Sequence, residues 1–243
     1  MTVSAAKTVR DLAVEVPNAT RVFEKLGIDY CCGGKRSLDE ACASANLRVP
    51  EVLSALEAAA ESANAAPVDL PSGSLSELID HVVRTHHKFT REEIVRLKAL
   101  LEKVCSVHGK NHPELLSIRE TFAGLAQELS LHLMKEENVL FPYILRMEES
   151  ILQNEPVPPP PFGNVQHPIR MMTQEHDSAG EALREMRAAS QGYMLPEDAC
   201  ISYKTLYRAL QGLESDLHQH IHLENNVLFP RAVDMEAGLS KAS

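Results

Sequence analysis

The sequence carries nearly the same eleven-residue segment twice: His132-Leu-Met-Lys-Glu136-Glu-Asn-Val-Leu-Phe-Pro142, then His220-Ile-His-Leu-Glu224-Asn-Asn-Val-Leu-Phe-Pro230. A histidine and a glutamate four residues apart lie one turn above each other on one helix face, where both can reach the same ion. The two segments are 88 residues apart, and each has a further histidine upstream at almost the same distance: His87 is 45 residues before His132, and His176 is 44 before His220. A duplicated two-helix unit, each copy giving one histidine plus His-x-x-x-Glu, predicts six donors converging inside a four-helix bundle. That pattern is the signature of a two-metal site.

Periodicity selects the same residues independently of the repeat. Leu206, Leu210, Leu213, Leu217, His220, Glu224 and Val227 step by three or four, and so do Leu125, Leu129, His132, Glu136 and Val139. His176 lies in line with Met172, Ala179, Leu183 and Met186. On the first helix His87 shares a line with Ile79, Val83 and Ile94, whereas His86 leads to Glu93, expected outside, so His87 is preferred. His218 and His222 fall away from the His220 stripe, and His81, His108, His112 and His167 have no partner at ligand spacing; all are expected as surface or outer residues. Two carboxylates buried among aliphatic side chains cost several kcal/mol unless a counter-charge is present. A metal pair supplies that charge.

Four imidazoles and two carboxylates exceed one closed tetrahedral zinc site, and no cysteine lies on these inward stripes to favour copper(I) or an iron–sulfur cluster. Nitrogen and oxygen donors on a four-helix bundle suit iron or manganese. With both glutamates bridging and an oxo or hydroxo bridge, each metal keeps one open position. The order departs from the ferritin-like Glu-x-x-His pattern. It resembles hemerythrin instead, with four histidines where hemerythrin has five.

Around this core the chain reads as all-α. Residues 1–66 form short helices: an amphipathic one ending on Gly27, a second opened by the capping-box pattern Ser37-Leu-Asp-Glu40, and a third led by Pro50. Residues 67–73 are the expected linker, and residues 74–243 the bundle. Its helices are expected from Ser74, with Glu77 completing a capping box, to about 105, then at about 113–147, 169–190 and 196–236. The proline-rich stretch 154–168 connects the repeats, and the Phe-Pro pairs are placed to kink the last turns of helices two and four. A net charge of −10 argues against sequence-independent nucleic-acid binding. The start lacks a signal-peptide core, and no apolar run approaches the roughly 20 residues of a membrane span, so a cytoplasmic protein without membrane partners is expected. Five cysteines, an odd number in a long chain, argue against a disulfide framework.

Asp29-Tyr-Cys31-Cys32-Gly-Gly-Lys35, the two repeated segments and Glu175-His176-Asp-Ser-Ala-Gly180 together resemble the RIC (repair of iron centres) proteins, the YtfE/ScdA/DnrN/NorA family, over almost the whole chain. The resemblance implies a hemerythrin-like up-down bundle with a small N-terminal helical domain. It also implies two iron ions and a role in restoring iron–sulfur clusters damaged by nitrosative or oxidative stress. The family's ligands carry over onto His87, His132, Glu136, His176, His220 and Glu224. Glu128 and Glu175 match acidic positions near the family's di-iron centre and are expected to line an iron path. Cys31 and Cys32 match its Cys-Cys-Gly-Gly motif. Read by themselves, they either present two sulfurs on an open turn, with Lys35 and Arg36 favouring thiolate for contact with iron, NO or a partner's cluster, or form a redox-inert turn.

Three functions compete. An iron-supply factor would serve iron–sulfur proteins or a cluster-assembly scaffold, rather than turning over a substrate. A gas-binding module would sense or scavenge NO or O₂. An enzyme reducing NO or nitrite would need an external reductant, since no flavin or nicotinamide motif is present.

Overall fold

A computed structural model describes residues 4–61, 73–157 and 159–242, and among these there is no β-strand, only an isolated bridge between Thr8 and Ser37. Four short helices come first: α1 Val9–Glu15, α2 Ala19–Leu26, α3 Leu38–Ser44 and α4 Val49–Glu61. Their buried faces, including Leu12, Phe23, Tyr30, Leu38 and Leu56, form a core of their own. The expected signals operate: Gly27 closes α2 in the left-handed conformation at φ 68°, Ser37 and Glu40 form a reciprocal capping box, and Pro50 sits in the first turn of α4. Helix α1, capped by Thr8 at the Asp11 N–H, is an addition to the sequence expectation. The expected linker 67–73 lies outside the described residues except for Gly73.

Four long helices make an up-down, hemerythrin-like bundle. They are α5 (75–108), α6 (114–153), α7 (Gln166–Ala189) and α8 (201–242). Ser74 and Glu77 form the capping box that opens α5, and Asn154, left-handed at φ 54°, stops α6. Residues 196–200 belong to a turn, with the Ala199 N–H on the Pro196 carbonyl, so α8 starts at Ile201 rather than at 196.

Three of these helices each contain one π-helical turn: Val82–His87 in α5, Glu136–Leu140 in α6 and Glu224–Leu228 in α8. In the latter two, the N–H of Phe141 or Phe229 bonds back five residues to the Glu136 or Glu224 carbonyl. The cause is local. Pro142 and Pro230 lack an N–H and would crowd the carbonyl four residues back in a regular helix, and a widened turn relieves both problems.

These turns correct two expectations. Val139 is 45% exposed, and Leu140 takes the core position instead. Around the first π-turn His86 and His87 are both buried, and Glu93 is buried as well, its Oε1 accepting from Arg96 at 2.8 Å.

The bundle holds two apolar clusters. One is built on Leu97, Leu101, Phe122, Leu183, Leu206 and Leu213; the other on Leu78, Val82, Phe141, Ile144, Met172 and Phe229. On every helix the histidines and glutamates singled out above fall at the junction between them. The polar layer is thus sealed from both ends.

Candidate metal centre

All six predicted donors meet at that junction, each buried. They form two quartets, His87-His220-Glu136-Glu224 and His132-His176-Glu136-Glu224, whose donor atoms lie within 4.8 Å of one another. Both glutamates belong to both quartets. Glu136 Oε2 is 3.4 Å from the Nε2 atoms of both His87 and His132. Glu224 sets Oε1 at 3.0 Å from His220 Nε2 and Oε2 at 3.1 Å from His176 Nε2. The imidazoles face each other in pairs, His87 and His220 at 3.2 Å and His132 and His176 at 3.1 Å between Nε2 atoms.

The donor set fits cations. Neither oxygen of Glu136 has a hydrogen-bond partner, although the residue has no exposed surface. Burial and the neighbouring Glu224 push its carboxyl up to about 8. Burial works against charge on His87 as well, yet Glu136 and Glu224 raise it to about 10; burial and His176 press His132 down to about 4.

The outer nitrogens set the ring orientations, and they follow the repeat. His87 Nδ1 pairs with Glu137 Oε1 at 2.7 Å, and the repeat-equivalent His176 Nδ1 pairs with Asn225 Oδ1 at 2.9 Å. Such bonds place N–H on Nδ1 and leave Nε2 free as a donor to metal. His132 Nδ1 pairs with Glu175 at 2.9 Å, and Glu175 also binds Lys135. The position equivalent to Glu175 is His86. Its ring stacks on His220 at 5.5 Å and 2°, and Asp216 holds it at 3.0 Å. His220 Nδ1 therefore stands without a partner. Glu137 and Asn225 were not picked out from sequence. The available signal was that both follow a donor glutamate directly, at equivalent places in the repeat.

Glu128 and Glu175 line a cavity of about 10 Å³, room for roughly one water, which reaches His132, His176 and His220 past Leu125, Leu129 and Leu217. His222, expected outside, is buried beneath Tyr30 with ring centroids 5.3 Å apart, and His218 is half-buried, because the N-terminal domain covers this face of α8.

The Cys31-Cys32 turn is not open. Cys31 is buried, and Asp29 Oδ1 accepts the N–H groups of Cys31, Cys32 and Gly33 at 3.2, 3.0 and 3.0 Å. The hydrogen bond to Cys32 Sγ, then burial, push the Cys31 thiol well up, while the Arg36 guanidinium lies beside Gly33 and donates to Ser44 Oγ at 3.2 Å. A Cβ on Gly34 would lie 2.7 Å from the Tyr30 carbonyl oxygen, so only glycine allows this tight return. The turn rests on the bundle. Cys32 Sγ lies 3.7 Å from the His176 carbonyl, and Asn225 Nδ2 donates to the Cys31 carbonyl at 3.3 Å.

A four-helix bundle with buried imidazoles and shared carboxylates defines a hemerythrin-type cation-binding protein, and residues 78–232 match the Hemerythrin HHE cation binding domain. Residues 5–60 match ScdA_N, a Domain of Unknown function (DUF542). The chain is 36% identical over 231 residues, 95% of its length and 98% of the relative's, to a probable iron-sulfur cluster repair protein of Haemophilus influenzae. It is 36% identical over 225 residues, 92% of its length and 94% of the relative's, to the iron-sulfur cluster repair protein YtfE of Escherichia coli O1:K1, and 37% identical with the same coverage to that of Escherichia coli O8. The chain belongs to this iron–sulfur cluster repair family. No helix among its described residues is long and apolar enough to cross a membrane.

Proposed function

We propose that this chain carries a labile di-iron centre and supplies iron to rebuild iron–sulfur clusters damaged by nitrosative or oxidative stress. The observation that carries the reading is the pair of quartets sharing both carboxylates. His87 and His220 would hold one iron, His132 and His176 the other, with Glu136 and Glu224 spanning both. Bound iron would supply exchangeable coordination positions and one-electron chemistry. The chain's own residues do the rest: Glu137, Asn225 and Glu175 hold protons on the outer nitrogens and aim Nε2 inward, the two apolar clusters exclude water, and Glu128 with Glu175 forms the acidic mouth of an exit path.

Residues 1–66 would act as a docking domain that brings Cys31 and Cys32 against the centre, joined through 67–73 to the bundle at 74–243. The relatives named as repair proteins support iron–sulfur proteins as clients, and the cytoplasm is the proposed place of the encounter.

Metal analysis and the optical spectrum of the air-oxidised protein test the centre, and transfer of iron to an apo iron–sulfur protein tests the role. Two irons per chain, partly chelatable under reduction and delivered to the acceptor, are expected. Zinc alone after expression with ample iron, or complete retention of iron under reduction, would overturn the reading.

A further inference from the structure

At the opposite end of the bundle, where the 109–113 and 190–200 connections meet, a second set of donors converges that shares no residue with the centre above. His108, His112 and Asp198 bring donor atoms within 4.8 Å of one another. His112 Nε2 lies 2.9 and 3.2 Å from the two Asp198 oxygens, and His108 Nε2 lies 3.2 Å from Cys200 Sγ. We propose that His108, His112, Asp198 and Cys200 form a separate binding site for one zinc-type divalent cation in tetrahedral coordination.

The local backbone builds the site. His108 ends the long stretch of α5, and the His112 N–H returns to the His108 carbonyl at 2.9 Å, which brings two histidines four residues apart onto one side of a tight turn. A Cβ on Gly109 would lie 2.5 Å from the Cys105 carbonyl oxygen, so this return depends on glycine. Across the gap, Asp198 lies in the turn before α8, and Cys200 is its N-cap residue, with no side-chain hydrogen bond to the helix that would occupy the sulfur. The buried Tyr203 meets both imidazoles edge-on, at 5.4 and 5.6 Å, and fixes their places. Glu114 Oε1 sits 3.1 Å from His112 Nδ1, the outer carboxylate that commonly turns a histidine's other nitrogen toward a metal.

The chemistry selects the ion. Two imidazoles, one carboxylate and one thiolate suit zinc, and a sulfur donor disfavours calcium and magnesium. The carboxylate and the thiolate balance a dication once the thiol proton leaves for solvent. A tetrahedral zinc with ordinary bond lengths separates N from O by about 3.4 Å and N from S by about 3.6 Å. The two observed pairs, His112 with Asp198 and His108 with Cys200, need open by only a few tenths of an ångström, and Cys200 Sγ, which lies outside the 4.8 Å cluster of the other three donors, must close on them, a movement open to an exposed side chain. His108 and His112, expected above as surface residues without a partner, are four residues apart and meet here, at a spacing common in structural zinc sites.

Cobalt(II) is the probe, added to full-length protein whose bundle centre is already iron-loaded. The expected result is one further equivalent of cobalt with a thiolate-to-cobalt charge-transfer band, displaced by zinc. That band disappears in Cys200→Ser, a change on the exposed surface, and persists in the double variant Cys31→Ser, Cys32→Ser. His112→Ala weakens binding by more than tenfold. No band in the parent protein, a band that survives Cys200→Ser, or one lost instead with Cys31 and Cys32 would overturn the proposal.

Discussion

Glu136 is the residue on which the centre turns, because its two oxygens are buried without a hydrogen-bond partner while three imidazole-bearing helices surround it. Glu136→Gln keeps the volume and removes the charge. Metal content should fall below half of the parent's, with helicity by circular dichroism unchanged, because the two aliphatic clusters do not involve this side chain. Loss of helicity would show that the metals hold the bundle together. Glu137→Gln tests the outer layer: weakening the 2.7 Å bond to His87 should lower metal affinity by about 10- to 100-fold. An unchanged affinity in chelator competition would reduce Glu137 to a surface partner of Arg91. That these six side chains converge was legible because the repeat and the helical period select them separately. Glu137 and Asn225 were not, since a polar residue beside a ligand on a helix reads as solvent-facing until the tertiary partner is known. The burial of His86, expected outside, has the same origin: adjacent residues are about 100° apart on a regular helix, and a π-turn lets both enter, although only His87 joins the quartets.

At the scale of the element, the helix ends were legible wherever a side chain closes them, as at Ser37, Ser74 and Gly27. The phase beyond a π-turn was not. The equivalent π-turns put Leu140 and Leu228 in the core of both repeats, and the preceding valines separate for a tertiary reason: Val139 is exposed, while Val227 joins a core cluster that Val14 of α1 also packs against. The capping box at the start of α5 gives a clean test. The Ser74 backbone N–H, then its hydroxyl, hold the Glu77 carboxyl below its usual range. A carboxyl depressed in the folded state stabilises above its unfolded pKa, and that contribution is lost as pH falls through the folded value. Glu77→Gln should therefore lower the thermal midpoint at pH 7, and the gap from the parent should close below about pH 4. Ser74→Ala should cost about 1 kcal/mol. A gap that stays constant from pH 7 to the acid range would assign the effect to packing rather than to charge.

For the whole molecule, the sequence separates two helical parts but says nothing of how they dock, because the contacts come from polar residues scattered through both. Arg10 donates to the Asn226 carbonyl at 3.1 Å, and Ser215 donates to Glu24 at 3.3 Å. Removing both with Arg10→Ala and Ser215→Ala, at about 1 kcal/mol per hydrogen bond, should speed modification of Cys31 and Cys32 by a thiol reagent roughly thirtyfold. An unchanged rate would mean that the remaining contacts, Tyr30 against His222 and Asn225 on the Cys31 carbonyl, hold the domain without these two.

The cavity beneath Glu128 and Glu175 has a kinetic consequence. It has room for roughly one water, whereas an iron ion leaving with its hydration shell is several times larger. If iron leaves by this proposed path, departure must wait for α6 and α7 to part, and the waiting time is a property of the fold. Raising the chelator concentration should speed iron loss only to a plateau, and different acceptors in excess should share the same limiting rate. A rate that climbs without limit in proportion to chelator would mean that the acceptor reaches in and pulls. With a plateau, the protein behaves as a timed dispenser, and the clock is the breathing of two helices.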